Sequence, residues 1–227
     1  MPESISDVFF HIVGRRIGEN AQNWLKDLSA KPFDEKTFPV AYAGASRRLG
    51  REIIEATPEE LNALESAIPF ACPFSFSADE LGRAALLIRA LENSPFERHV
   101  QIVEDIYYKG DNRERRAALR TLSFLPEPKR FLPLAVDSCR TNVQGVFEGI
   151  ACENAYPAMH FPQDNFNQLV LKTLFTGLEL DRVFDWKRRN NEKLFRMADD
   201  YARERRLAGR SVPEGNLKII EHYRSAK

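Results

Sequence analysis

Residues 77–125 read SADELGRAALLIRALENSPFERHVQIVEDIYYKGDNRERRAALRTLSFL, and their spacing decides the fold class. Three helix-start signatures lie within them, each a Ser or Asp followed three residues later by Glu: Ser77 with Glu80, Ser94 with Glu97, and Asp111 with Glu114. In such a box the short side chain caps a backbone N–H inside the helix and the Glu reaches back to the cap, so two otherwise orphaned donors are satisfied. Apolar residues follow at helical spacing. Leu81, Ala84, Ala85, Ile88 and Leu91 form one stripe; His99, Val100, Val103, Ile106 and Tyr107 form the next; Leu119, Leu122 and Leu125 form a third. The i, i+3, i+4, i+7 pattern predicts amphipathic α-helices, and no alternating strand pattern competes with it. His99 sits on an apolar stripe and reads as a core histidine. The tetrapeptide Arg83-Ala84-Ala85-Leu86 recurs as Arg116-Ala117-Ala118-Leu119. A period in the thirties with two helices per unit predicts stacked antiparallel helix pairs, a HEAT-like or αα-superhelical domain.

Working outward, Thr57-Pro58-Glu59-Glu60 is a fourth box, with proline at the favoured first helical position. Ile5, Val8, Phe9 and Ile12 mark a first helix that Trp24, Leu25 and Leu28 continue. Residues 31–39 read as a loop with a helix after Thr37, and residues 68–77 as an aromatic, proline-bearing connector whose phenylalanines are core. Downstream, Pro126, Pro128 and Pro133 interrupt the pattern, and a new helix is expected over 128–140. Val143, Val146, Phe147 and Ile150 make a further stripe. A loop over 153–163 precedes a helix over 164–175 that ends at Gly177, a natural C′ residue. A long charged helix over 192–208 ends at Gly209, and a last one follows Pro213. The expectation is an all-α fold in a single domain over 1–227, irregular in 1–76 and built of regular helix pairs over 77–227.

The 227 residues carry 33 Lys plus Arg against 33 Asp plus Glu, a formal net charge of zero. Nucleic-acid binding wants a basic footprint, so it is not expected. No secretory signal and no apolar run of membrane-spanning length is present, and a cytoplasmic protein is expected. Cys72, Cys139 and Cys152 are odd in number, widely spaced and without a CxxC, which fits thiols in a reducing compartment. There is no GxGxxG, no GxxxxGK[ST], no GxSxG and no HExxH, so neither a cofactor nor a metal is expected.

The densest chemistry lies in Cys152-Glu153-Asn154-Ala155-Tyr156-Pro157-Ala158-Met159-His160-Phe161-Pro162 and the helix after it. His160 is the candidate general acid/base, with Glu153 orienting it. Asn154, Tyr156, Asn167 and Gln168 are candidate ligand-binding groups. Arg188 and Arg189, within Lys187-Arg188-Arg189-Asn190-Asn191, are placed to meet an anion near the start of the long helix. The same groups suit a structural clasp, because loop polar residues often cap neighbouring helices. Within 182–210 the charges read as ion pairs such as Asp199 with Arg203.

These residues resemble the EboA family. The resemblance rests on Cys152-Glu153-Asn154, Tyr156-Pro157, His160-Phe161-Pro162 and Phe166-Asn167-Gln168-Leu169-Val170-Leu171-Lys172, with Leu174-Phe175. Further on it is carried by Arg188-Arg189, Leu194, Arg196-Met197, Tyr201, Glu204-Arg205-Arg206 and Ala208-Gly209-Arg210. It implies an all-helical protein of bacterial secondary-metabolite biosynthesis or traffic. Its implied partners are an unknown small-molecule metabolite and proteins of the same gene cluster, including a membrane prenyltransferase-like protein. Two departures stand out: Ala155 where the family often has proline, and Glu192-Lys193 in place of a Pro-Glu pair. The leading functional expectation is a non-catalytic accessory or small-molecule-binding protein. The alternatives are an enzyme on the same metabolite using His160, or a helical scaffold for partner proteins.

Overall fold

The structure, a computed structural model, describes residues 4–31, 33–68 and 75–225. Cys72 and most of the aromatic connector, residues 69–74, lie outside the described residues. Among the described residues there are fourteen α-helices and one two-stranded ladder. The chain forms two compact units, residues 1–150 and 151–227.

The first unit contains α1 (Ile5–Gly14), α2 (Glu19–Ser29), α3 (Thr37–Leu49), α4 (Pro58–Ala67), α5 (Ala78–Glu92), α6 (His99–Lys109), α7 (Asn112–Thr121) and α8 (Leu132–Ser138). Helix α9 (Gln144–Ala151) ends at the unit boundary. Strands β1 (Ile53–Ile54) and β2 (Phe76–Ser77) pair antiparallel. At two residues each they escape any search for alternation, and the class stays all-α.

Three expected boxes are built as expected, at Thr57, Ser77 and Asp111. The one at Ser94 is not. Its hydroxyl donates to the Leu91 carbonyl and so finishes α5, Phe96–Arg98 form a 3-10 turn, and α6 begins only at His99. A box at Ser4 and Asp7 starts α1; Asp at its last position hid it from the Glu/Gln pattern. The first helix also does not run on to Leu28. It stops at Gly14, and Gly18 caps a separate α2.

Helix α5 is the centre of this unit, with α1, α3 and α7 packed against it. Every residue from Ala78 to Leu91 except Arg89 is buried, so the helix cannot be amphipathic in the usual sense. Phe9 of α1, Phe76 of β2 and Phe124 form an aromatic cluster beside it, with Phe9 edge-on to Phe124 at 4.9 Å. Gly149 of α9 permits a close approach to α7: a Cβ there would meet the Arg116 backbone at 3.1 Å.

The price of burying α5 all round is met by ion pairs at its first turns. Asp79, wholly buried, accepts from Arg83 (2.7 Å), Arg113 (2.7 and 3.0 Å), Ser46 (2.6 Å) and Ser77 (2.7 Å). Burial alone would raise its pKa. The hydrogen bonds from Arg113, Ser46 and Ser77 outweigh that and hold the carboxyl well below the usual carboxylate range. Glu80 accepts from Arg116 at 2.6 Å, and Arg83 donates to the Tyr42 carbonyl at 3.0 Å. The recurring Arg-Ala-Ala-Leu therefore places one guanidinium on each of the adjacent acids Asp79 and Glu80. Arg120 lies 4.8 Å over the Phe76 ring.

The second unit contains α10 (Tyr156–His160), α11 (Gln163–Phe175), α12 (Trp186–Arg189), α13 (Glu192–Leu207) and α14 (Glu214–Ser225). The expected 153–163 loop thus holds a single helical turn, started by Pro157 in its first positions. Gly177 and Gly209 adopt φ of 76° and 64° and end α11 and α13 as read. Arg203 pairs with Asp200 at 2.6 Å instead of Asp199, which faces Arg224 at 3.8 Å. On a helix both neighbours lie within reach, and the partner on α14 draws Asp199 away. No helix among the described residues is long and apolar enough to cross a membrane.

Candidate functional site

In residues 151–227 the sequence-predicted cluster folds into a clasp. Glu153 takes a left-handed backbone, φ 45°, unusual for a residue with a side chain. Arg182, at the end of a 3-10 turn, holds it on two levels. Its guanidinium donates to both carboxylate oxygens at 2.7 and 3.0 Å, and its carbonyl accepts the Glu153 N–H at 2.8 Å. Such a planar two-point pair suits arginine and not lysine. Arg182 was not singled out from the sequence, because nothing local distinguishes it from the other cations of that segment.

Asn154 accepts the Tyr156 N–H at 2.9 Å, an Asx turn that opens α10. Ala155, the departure from the family pattern, sits fully buried at the cap position. Tyr156 is wholly buried, and burial pushes its phenol up. Its ring lies 4.7 Å from the half-buried His160 ring and edge-on to Phe161. The candidate acid/base is therefore packed against the Tyr156 ring.

Asn167, wholly buried on α11, exchanges amide bonds with Asn191: its Oδ1 accepts at 2.9 Å and its Nδ2 donates at 3.3 Å. Gln163 donates to the same Oδ1 at 3.0 Å. Asn191 in turn caps α13 by accepting the Leu194 N–H at 3.0 Å. Gln168 points the other way and is exposed.

Arg189 donates to the carbonyls of Ala158 (2.6 Å) and Phe161 (2.9 Å) and lies 4.6 Å over the Phe166 ring. Burial, and then the neighbouring Arg188, lower its pKa. Arg188 pairs with Asp185. Lys193, placed where a helix dipole disfavours it, finds Asp164 at 2.8 Å. The structure thus brings together two sets, Glu153 with Arg182 and Asn167 with Asn191, Gln163 and Arg189. It leaves Gln168 and Arg188 at the surface.

Cys152 is buried, and the Cys139 thiol donates to the Ala135 carbonyl at 3.4 Å. His99 is buried, as its stripe implied, with Nε2 3.3 Å from the Ser94 carbonyl. Among the described residues no group of three or more His, Cys, Asp or Glu is placed to hold a metal ion.

Two concavities of ligand size flank α3 in the first unit. Between α3 and α6 runs a groove of about 650 Å³, lined by Phe33, Phe38, Pro39, Val40, Ala43, Ile102 and Ile106, with charged residues around the rim. That volume falls within the range of small-molecule sites. At the rim Arg98 pairs with Glu35, and Lys109 with Asp105 at 3.0 Å. A cleft of about 680 Å³ flanks α3 on the side of α2. The sequence offered no signal for either, because the space between α2, α3 and α6 is a product of packing.

Among the described residues the chain is all-helical apart from one two-residue ladder, with a groove beside α3 and an internally bonded polar cluster. Residues 5–221 match the family model described as metabolite traffic protein EboA, and the chain belongs to that family. No curated protein and no solved structure matches it.

Proposed function

We propose that this EboA-family protein is a non-catalytic binding protein that holds a small-molecule metabolite during secondary-metabolite biosynthesis or traffic, and that the molecule sits between α3 and α6. The observation that supports this reading is the groove itself: an apolar floor, a charged rim and a ligand-sized volume. Val40 is 72% exposed there. Covering an exposed branched side chain is worth about 1.5–3 kcal/mol, which a bound apolar body would gain.

Of the acids lining the groove, Glu35 pairs with Arg98, Asp105 with Lys109, and Glu114 accepts the Asp111 N–H of its own helix cap, and no histidine lines the groove. Binding without turnover is the reading this favours, since general acid–base work needs convergent titratable groups. Glu153, Asn154, Tyr156, His160, Asn167 and Arg189 are then the clasp that shapes residues 151–227. Helices α5 to α8 are read as the stacked pairs of a HEAT-like array, and proteins of the same gene cluster as the donors or recipients of the metabolite.

Native mass spectrometry tests this on the full chain purified from a host expressing the neighbouring genes. Wild type and a Glu153→Ala, His160→Ala double variant are expected to carry the same small molecule, and Ala43→Trp, which fills the groove, to lose it. Loss from the folded double variant with retention by Ala43→Trp would move the site to the 153–168 segment. Conversion of the bound molecule on incubation would make the protein an enzyme.

A further inference from the structure

We infer that the ligand is an acidic amphiphile whose anionic group is held in the cleft between α2 and α3, an inference that rests on the binding reading above. This cleft is lined by three cations, Lys36, Arg47 and Arg48, and by no acid. Its remaining walls include Trp24, Leu28 and Val40.

Six arginines of the first unit contrast with these three cations. Arg16, Arg83, Arg89, Arg98, Arg113 and Arg116 all meet carboxylates. Among the described residues no ion pair engages Lys36, Arg47 or Arg48; Arg48 instead lies 6.0 Å over the Trp24 ring. Of the two acids before Lys36, Glu35 pairs with Arg98, and Asp34 accepts the backbone N–H groups of Lys36 (3.1 Å) and Thr37 (2.8 Å). Arg47 and Arg48 are neighbours in a concave site lined by no acid, so their charges repel one another, and an anion there relieves that repulsion.

The geometry of α3 joins this cleft to the apolar groove. Lys36, Val40 and Arg47 line both. They fall on one face of the helix, at i, i+4 and i+11, and span roughly 16 Å along its axis. The two cations stand at the ends of that ridge with Val40 between them. A ligand laid across it buries an apolar body against Ile102 and Ile106 and turns its acid toward Arg47 and Arg48. Arginine suits a carboxylate, sulfonate or phosphate through paired N–H donors, and Trp24 offers a flat face to an aromatic or alkyl portion. The shared chemistry is an acid on an apolar body. A free molecule is the favoured source, because the cleft is concave and its cations line walls, whereas a membrane needs a convex basic face.

The test compares two probes on the full-length protein, anionic 8-anilinonaphthalene-1-sulfonate and neutral N-phenyl-1-naphthylamine, each titrated by its fluorescence. Arg47→Glu, Arg48→Glu is set against Lys129→Glu, Arg140→Glu, which changes the net charge equally at a distance. Helix content by circular dichroism confirms folding, and Arg47→Gln, Arg48→Gln replaces the reversal if it fails to fold. The expected result is saturable binding of the anionic probe, weakened at least about tenfold by the cleft variant. Neutral-probe binding should then change by less than about twofold, and the distant variant should leave both probes alone. Equal effects on both probes, or none, overturn the acidic class. If Ala43→Trp still blocks the neutral probe in that case, the groove survives as the binding site. If Ala43→Trp blocks neither probe, the groove reading itself fails. Sedimentation with vesicles of equal phosphatidylglycerol and phosphatidylcholine, abolished by the cleft variant and unaccompanied by saturable probe binding, would make this a membrane surface and overturn the proposal.

Discussion

In residues 1–150 the buried charges of Asp79, Glu80 and Arg83 meet opposite charges at the start of α5, whereas in residues 151–227 the wholly buried Asn167 meets another amide on the cap of α13. The two solutions answer the same problem, a polar group that must be satisfied away from water. They differ in what happens when a partner is lost. A charge left behind cannot remain charged in an apolar interior at modest cost, while an amide left behind forfeits only its hydrogen bonds. The ionic site also titrates and the amide site does not.

The largest break in this comparison is Asp79→Ala, which strands Arg83 and Arg113 and should cost about 3–5 kcal/mol in urea unfolding of the full chain. A loss near zero would mean that the ionic site does not hold α5. Asn167→Ala should cost less, about 1–3 kcal/mol, because Asn191 and Gln163 lose an acceptor but no charge is exposed. Its signature is local: amide exchange at Leu194 should speed up more than exchange in α5.

Acid sharpens the contrast further. Because the Asp79 pKa is depressed on folding, its contribution is fully present above the unfolded carboxylate value of about 3.9 and is lost as pH falls below that value toward the folded one. Stability should therefore fall on the acid side, and Asp79→Asn should flatten that limb of the pH profile while Asn167→Ala leaves its slope unchanged. On a smaller scale, Glu153→Ala should be about 1 kcal/mol less stable than Glu153→Gly in thermal melts. Both lose the Arg182 pair, and only glycine relieves the left-handed backbone. The smallest effect is Arg203→Ala, an exposed pair worth no more than about 0.5 kcal/mol by the same melts.

How much of this was legible follows from the range over which each interaction acts. The boxes at Thr57, Ser77 and Asp111 were readable because a cap and its Glu lie three residues apart. Ser94 carried the same letters and served the preceding helix instead, since a hydroxyl after a helix reaches a carbonyl as easily as the N–H of the next. In the candidate site, the importance of Asn167 was visible as an amide on an apolar helix, but its partner was not. Asn191 lies twenty-four residues away, and Arg182 lies twenty-nine from Glu153. No local pattern separates these partners from the polar residues around them.

The sequence by itself determined most of the longer helices, many of their ends, the all-α class and the family, because each is written in periodicity, caps or a contiguous motif. Only the tertiary structure decided which acid each arginine meets, that Asp79 and Glu80 share the two Arg-Ala-Ala-Leu stretches, and that α3 stands between an apolar groove and a cationic cleft. Those outcomes depend on which helix faces pack together, and packing joins residues whose separation along the chain carries no signal of their meeting in space.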